Sequence, residues 1–483
     1  MARIQGRVQE TFPPLVVDLD GTLLRSDLLM ETAMAFVRSQ PLKMFKLLGW
    51  LLKGKAALKE GLALETQIDV SVLPYDPQII ELITAEKATG RMIVLATASH
   101  VSLAERIAEH LQLFDLVLAS NANRNLSGHN KRDLLVAHYG EGGFDYIGNS
   151  KDDLPIWKVS RQAYVVNPDP GVEGRVKAMT QVEPTLRTNT ASLRDWRKAM
   201  RLHQWLKNAL IFVPLLASHR FTQFDLMRDG VFAFFCFGLC ASSVYILNDL
   251  LDLCDDRHHK SKCNRPFASG RLSIKAGLIA VPTLLLAAFG AALLLLPWQF
   301  CAVMAAYYAL TLAYSLQLKR LMAVDVIVLA MLYTSRIIAG VAAFNLTLTF
   351  WILAFSMFIF LSLAMVKRYA ELRDARVRDV TTMARGRGYY PGDLDMIASL
   401  GASSGYLAVM VLALYIQDAK TTALYVTPHV IWLACPLLLF WVTRVWMLTH
   451  RGQMNEDPVV FAIRDRTSQL IGAVFLLMFW IAA

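Results

Sequence analysis

The sequence predicts a soluble α/β domain with a helical cap, followed by an all-α membrane bundle of about nine transmembrane helices. Three observations predict it. Residues up to about Thr190 alternate short strand-like apolar runs with helical stretches, whereas the rest is a succession of long apolar runs. Lysine and arginine concentrate in every second loop between those runs. The composition agrees, with 55% hydrophobic residues, a mean hydropathy of +0.40 and a formal net charge of +10.

The soluble part opens with LVVDLDGTL at 15–23, where a short buried strand delivers Asp18 and Asp20 onto a loop that Gly21 lets turn tightly. A second strand, IVLATAS at 93–99, ends at Thr97. Lys131 follows Gly128-His129-Asn130, and FDYIGNSKDD at 144–153 supplies a third strand and then acids. Strands alternating with helices argue for a parallel sheet with its site at the strands' carboxyl ends. These four motifs, in this order, resemble the haloacid dehalogenase-like phosphatase superfamily, and so imply its Rossmann-like fold, with the insert from about 28 to 78 as the cap. The resemblance makes Asp18 the nucleophile and Asp20 the general acid and base. It gives Thr97 and Lys131 to the phosphoryl group, and one Mg²⁺ to Asp18, Asp20, Asn149 and Asp153. One departure is Gly148-Asn149 where the family has Gly-Asp, which lowers the negative charge offered to the metal. The competing reading is a non-catalytic or regulatory module. The segment 44–59, MFKLLGWLLKGKAALK, reads as a cap helix packed on its neighbour, with a seat on the membrane surface as the alternative.

Pro168, Pro170, Gly171, Gly174 and Pro184 place the boundary between a domain at 1–185 and one at 186–483. A basic segment holding Arg194, Arg197, Lys198 and Arg201 with Trp196 and Trp205 reads as a juxtamembrane helix. Nine spans follow, at about 206–218, 230–247, 274–296, 300–316, 324–344, 349–366, 397–416, 430–448 and 470–482. Loops after the even-numbered spans carry most of the cations, Arg378, Arg385 and Arg387 among them, against only Arg220, Arg228 and Lys420 in the others. The expectation is an integral protein of the cytoplasmic (inner) membrane. Its amino-terminal domain and active sites face the cytoplasm, and its carboxyl terminus lies outside. The start of the sequence has no apolar core of a signal peptide. The six cysteines form no Cys-x-x-Cys pair and suggest no disulfide.

Behind the second span comes Asn248-Asp249-Leu250-Leu251-Asp252-Leu253-Cys254-Asp255-Asp256. On a continuous helix Asp249, Asp252 and Asp256 share one face. Acids at a span end mark function by default, and three of them suit a hard cation that in turn holds phosphate oxygens. With Asn264-Arg265-Pro266, the run from Tyr314 to Arg320, and Asp325, the pattern resembles the UbiA superfamily of intramembrane prenyltransferases, which bind a diphosphate through Mg²⁺.

Aromatic prenylating members carry a second Asp-x-x-x-Asp motif after span six. Here that segment offers Lys367, Arg368, Tyr369, Glu371, Asp374, Arg385, Arg387 and Tyr389, with no clean second motif. Cations in that number suit a substrate with several separate phosphates. Together with Gln204-Trp205-Leu206-Lys207-Asn208 and Tyr333-Thr334-Ser335-Arg336, this resembles the polyprenyl-phosphate phosphoribosyltransferase branch. The resemblance implies transfer of 5-phosphoribosyl from phosphoribosyl diphosphate (PRPP) to a polyprenyl phosphate, with Asp249, Asp252 and Asp256 as the catalytic metal clamp. Asn248, Lys207, Lys262, Arg265, Tyr314, Lys319, Arg320, Asp325, Arg336, Lys367, Arg368, Tyr369, Arg387 and Tyr389 are then the substrate-binding candidates. Each cation could instead be a residue that sets topology. The expected cofactor is one Mg²⁺ in each domain. The expected partners are PRPP, the lipid phosphate and the membrane, with no nucleic acid, and a homo-oligomer is compatible. The rival function is prenylation of an aromatic acceptor from an isoprenoid diphosphate.

Overall fold

The computed structural model describes residues 12–121, 124–180, 182–188, 190–377, 388–418, 425–454 and 457–482. The candidate Arg387, with Arg378, Arg385 and Lys420 of the loop pattern, lies outside the described residues. The chain forms two compact units. One comprises Met1–Met200 and Ile246–Ala280, the other Arg201–Tyr245 and Val281–Ala483.

In the first unit, strands β1 (Leu15–Val17), β2 (Ile93–His100), β3 (Leu116–Ser120), β4 (Asp145–Gly148) and β5 (Ala163–Val165) make a parallel sheet in the order β3-β2-β1-β4-β5. Successive residues of β1 point to opposite faces, and both faces are buried. Leu15 and Val17 pack with Leu95 and Ile83 on one side, Val16 with Val94, Tyr146 and Trp157 on the other. That explains a strand written as an unbroken apolar run. Because β1 has β2 and β4 as neighbours, the residues after those three strands meet at one end of the sheet. The expected cap is present as helices α1 (Leu28–Ser39), α2 (Phe45–Leu52) and α3 (Lys55–Glu65). Asp27 starts α1 by accepting the Leu29 and Met30 N–H groups.

The aspartate segment belongs to this same unit. Helix Phe224–Leu251 ends just before Asp252, and helix Leu253–His258 begins just after it. The cap holds this segment through ion pairs. Arg257 reaches Glu31 of α1 at 2.6 and 3.0 Å, with both side chains almost fully buried, and donates to the Ala268 carbonyl at 2.8 Å. Arg38 of α1 pairs with Asp252 and, at 3.0 Å, with Asp255; His258 lies 3.0 Å from Asp69. Removing one member of a buried pair strands the other's charge, at a cost of about 3–5 kcal/mol. Arg257→Ala is therefore expected to lower the melting temperature of this unit clearly. Glu31→Met combined with Arg257→Met should recover most of the loss in a thermal unfolding scan.

Among the described residues seven helices are long and apolar enough to cross a membrane: Phe224–Leu251, Ile274–Leu295, Trp298–Leu316, Val324–Ala343, Phe350–Val377, Pro391–Gln417 and His429–His450. They match the second to eighth expected spans. The stretch expected as the first is instead a 3₁₀ segment, Leu202–Phe212, followed by the short helix Val213–Ala217. The last is the 17-residue helix Arg466–Ala482. Among the described residues the count of full-length spans is thus seven rather than nine. The 3₁₀ segment lies so close to helix Val324–Ala343 that a Cβ on Gly340 would stand 2.0 Å from the Ile211 carbonyl oxygen. That contact accounts for a glycine inside a membrane helix.

Candidate active sites

The first site lies where the strands of the α/β part end. Asp18 directly follows β1, and Lys131 donates to its Oδ1 at 2.7 Å. The same ammonium donates to the Tyr146 hydroxyl at 3.1 Å and lies 3.9 Å from Asp153. Asp20 accepts the Leu28 N–H at 2.7 Å and the Ser99 hydroxyl at 2.8 Å. Thr97 is fully buried and takes the Ser99 N–H at 2.9 Å, which leaves its O–H to donate. Asn149 sits against Gly21, whose φ of +77° favours glycine; a Cβ there would meet its amide nitrogen at 2.3 Å. The Asn149 Oδ1 accepts from Thr22 at 3.4 Å. These predicted residues are therefore brought together. Asp153 has a narrower part. Its oxygens accept from the Asn149 and Ser150 amides, the Ser150 hydroxyl and, at 2.7 Å, the Tyr146 hydroxyl, so it braces the loop.

Burial pushes the Asp18 carboxyl up to about 7, with Lys131 opposing and Asp153 adding to the rise. Burial, helped by Asp27, pushes Asp20 up to about 6. Once ionised, the two carboxylates with an amide oxygen beside them are a fitting set of hard oxygen donors for a divalent cation, which would offset the cost of their buried charge. Because both acids have raised values in the fold, the stability they lend is present below about 3.8 and is lost as the pH rises through about 6 and 7. Mg²⁺ is expected to restore it. Its addition should raise the melting temperature by several degrees at pH 8 and by little at pH 5, and Asp18→Asn should remove most of that response.

Lys59 of α3, which sequence reasoning passed over, reaches into the same region. It donates to the Ala98 carbonyl at 2.6 Å and lines a small cleft with Leu28, Ser99 and His100. Burial draws its ammonium below the usual lysine range, although Asp20 works the other way. The signal available was a lysine on the last helix of the cap, which sequence alone does not aim.

The second site is the aspartate segment. Arg265 gathers two of its acids, with one guanidinium nitrogen 3.1 Å from Asp249 and 2.6 Å from Asp256. Asp252 sits at the helix break, φ −95° and ψ 13°. Asp249 and Asp256 stay together on Arg265, while Asp252 at the break is held by Arg38. Burial raises Asp256 above the ordinary carboxylate range against the pull of Arg265. The Asn248 Oδ1 is buried with no hydrogen-bond partner among the described residues. An orphaned oxygen beside carboxylates suits a hard cation, although no three His, Cys, Asp or Glu side chains among the described residues already converge as a metal site. Lys262 is exposed on the turn that carries Arg265.

The second unit sorts the remaining candidates. Lys207 and Lys367 meet on Asp457, at 2.6 and 3.6 Å, and Tyr333 donates to it at 3.0 Å. Arg336 lies over the rings of Phe237 and Tyr307 and donates to Asn208 at 3.2 Å. Burial works to raise Asp457, but Lys367 and Lys207 hold it below the usual carboxylate range. Sequence reasoning missed Asp457; the available signal was an Asp-Pro helix start in a half poor in acids. Arg368 pairs with Asp325 at 2.8 Å, both fully buried, and also with Glu371, and Tyr314 donates to Asp325 at 2.7 Å. Tyr389 accepts the Ala323 N–H at 3.1 Å and Tyr369 bonds His450 at 3.0 Å. Lys319 and Arg320 lie on the 3₁₀ turn Leu318–Arg320.

Residues 210–481 match the profile of the UbiA prenyltransferase family. The chain belongs to that family. It is an integral membrane enzyme of the transferase class, and residues 15–158 match the haloacid dehalogenase-like hydrolase profile. Protein y4nM of Sinorhizobium fredii is 37% identical over 471 residues, covering 97% of this UbiA member and 91% of the relative. Nodulation protein NoeC of Azorhizobium caulinodans is 37% identical over 287 residues, or 58% of this chain and 92% of the relative. Decaprenyl-phosphate phosphoribosyltransferase of Mycobacterium tuberculosis is 29% identical over 284 residues, covering 58% of this chain and 91% of that enzyme.

Proposed function

We propose that the transferase domain, 186–483, moves 5-phosphoribosyl from PRPP to a polyprenyl phosphate, and that the phosphatase domain, 1–185, then removes the 5-phosphate. The observation that carries this reading is the pairing, on one chain, of two features. One is likeness to a decaprenyl-phosphate phosphoribosyltransferase; the other is a buried Asp18–Lys131 pair beside Asp20, a constellation suited to phosphoryl transfer.

Asp249, Asp252, Asp256 and Asn248 would hold Mg²⁺, which would supply charge neutralisation to the diphosphate of the donor. Arg265 and Lys262 take further phosphate charge. The C1–oxygen bond to pyrophosphate breaks, pyrophosphate leaves with the electron pair, and an oxygen of the lipid phosphate bonds to C1. Lys207, Lys367 and Arg336 are cations for phosphate groups. In the phosphatase domain Asp18, Asp20 and Asn149 would hold the other Mg²⁺, which would shield the phosphoryl charge. The Asp18 carboxylate attacks phosphorus, the ribose 5-oxygen leaves with a proton from Asp20, and Asp20 then takes a proton from the water that frees Asp18. Lys131 and the Thr97 hydroxyl hold the phosphoryl oxygens. Joining the steps on one chain keeps the lipid intermediate at high effective concentration. Both sites face the cytoplasm on the positive-inside argument.

Purified protein given PRPP, polyprenyl phosphate and Mg²⁺ should release one pyrophosphate and then one phosphate per ribosylated lipid. Pyrophosphate release from an isoprenoid diphosphate with an aromatic acceptor, and none from PRPP, would replace this reading with the prenylation one.

A further inference from the structure

The segment left over from both reactions is α2 of the cap. Phe45, Leu48 and Leu52 stand at i, i+3 and i+7, on one helical face. They are 75%, 59% and 82% exposed, and Leu42 just ahead of the helix is 92% exposed. No residue of this helix is buried. What packs inward is the other face. The Trp50 ring lies 5.4 Å from that of Phe36 and would collide with any Cβ on Gly61. So the helix is seated on α1 and α3 through Trp50 and still turns Phe45, Leu48 and Leu52 away from the protein. The packed cap helix expected from the sequence is present on one face only.

Its charges run one way. Residues 41–55 hold Lys43, Lys46, Lys53 and Lys55 and no acid. Lys46 pairs with Glu65 at 2.7 Å; Lys43, Lys53 and Lys55 carry no ion pair among the described residues. An apolar face bordered by lysines is the composition that settles at a headgroup boundary. Its place in the fold agrees. The preceding helix, α1, ends with Arg38 paired to Asp252, the residue after the membrane helix Phe224–Leu251. Phe45 follows Arg38 by seven positions, so the exposed face begins within roughly 25 Å of a span end.

We propose that α2 with its flanking turns is a membrane foot, which lays Leu42, Phe45, Leu48 and Leu52 into the headgroup–acyl boundary of an anionic leaflet, with Lys43, Lys53 and Lys55 on lipid phosphates. This anchors the cap to the bilayer where a lipid-borne substrate is presented, independently of which reaction the chain performs.

The full-length protein in nanodiscs, followed by amide hydrogen exchange, tests it. Backbone amides of 42–54 should exchange at least about tenfold more slowly in phosphatidylcholine discs with 30% phosphatidylglycerol than in detergent. Pure phosphatidylcholine discs should fall between, and 0.5 M salt should remove the difference between the two bilayers. Phe45→Ser with Leu48→Ser and Leu52→Ser should abolish the protection in both discs. Lys43→Gln with Lys53→Gln and Lys55→Gln should reduce anionic discs to the phosphatidylcholine level. Because these side chains are exposed, both variants should keep the parent's melting transition. Equal exchange in detergent and bilayers would overturn the proposal. So would equal protection in the two bilayers, or protection that appears only with two copies per disc, which would make a second copy the occupant.

Discussion

Asp18→Asn stops release of the 5-phosphate by at least about 10³-fold while PRPP-dependent pyrophosphate release continues, and the lipid product accumulates with its ribose still phosphorylated. The size follows from the position. Asp18 is the carboxylate that receives the Lys131 ammonium at 2.7 Å, at the end of the central strand. An amide of the same shape cannot attack phosphorus, and no other acid stands there to replace it: Asp20 is tied to Leu28 and Ser99, and Asp153 to its own loop. The substitution is also mild for the fold. Burial already makes ionised Asp18 costly, so a neutral amide is tolerated, and Lys131 keeps Tyr146 and the nearby Asp153. Mass spectrometry of the extracted lipid and a phosphate assay read the result directly. An unchanged lipid product and unchanged phosphate release would make the α/β part a regulatory or structural module. Loss of pyrophosphate release as well would show that the two steps are obligatorily linked.

How much of this was legible in the sequence varies with the reach of the contacts. The α/β part was readable because Asp18, Asp20 and Asn149 lie just beyond strand ends and Thr97 in the second half of its strand, and parallel strands deliver their carboxyl ends to a common edge; Lys131 comes instead from the helix His129–Tyr139. Asp18, Thr97 and Asn149 therefore converge once the strands are recognised. Seven spans were readable from apolar length alone. The stretch at 206–218 was not, because apolarity says nothing of backbone form, and close packing of Ile211 on Gly340 accompanies a 3₁₀ path there. Spacing brought Asp249 and Asp256 together, as they are on Arg265, but said nothing of the partner of Asp252 between them. The rule of one helical face holds for an unbroken helix, and this helix breaks at the middle acid, which a cap arginine far earlier in the chain has engaged. Distance in sequence likewise hid the carboxylate partners of Lys207 and Arg368, which are Asp457 and Asp325. Both look alike as basic residues near a span end.

Asp249→Asn and Asp256→Asn are each expected to cut PRPP-dependent pyrophosphate release by roughly 10²–10³-fold and to raise the Mg²⁺ concentration needed for half-maximal rate. Neither change removes apolar packing, since each exchanges a carboxylate for an amide of the same shape, so the loss belongs to chemistry and metal binding. The two acids share one guanidinium, at 3.1 and 2.6 Å. Removing either leaves Arg265 on the other, which binds that acid more tightly and withdraws it from the cation. Each single change thereby weakens two donors at once, and the double variant should be little worse than the poorer single one. Arg265→Met separates the residue's two roles. If Arg265 only neutralises the acids, its loss lowers the Mg²⁺ requirement; if it also binds the diphosphate, KM for PRPP rises while the Mg²⁺ requirement falls. Phosphate release from a supplied 5-phosphoribosyl lipid should be unaffected in all of these variants, because Asp18, Asp20 and Lys131 are intact. A variant pair that retains the parental rate with PRPP would remove the aspartate segment from the transferase reaction altogether.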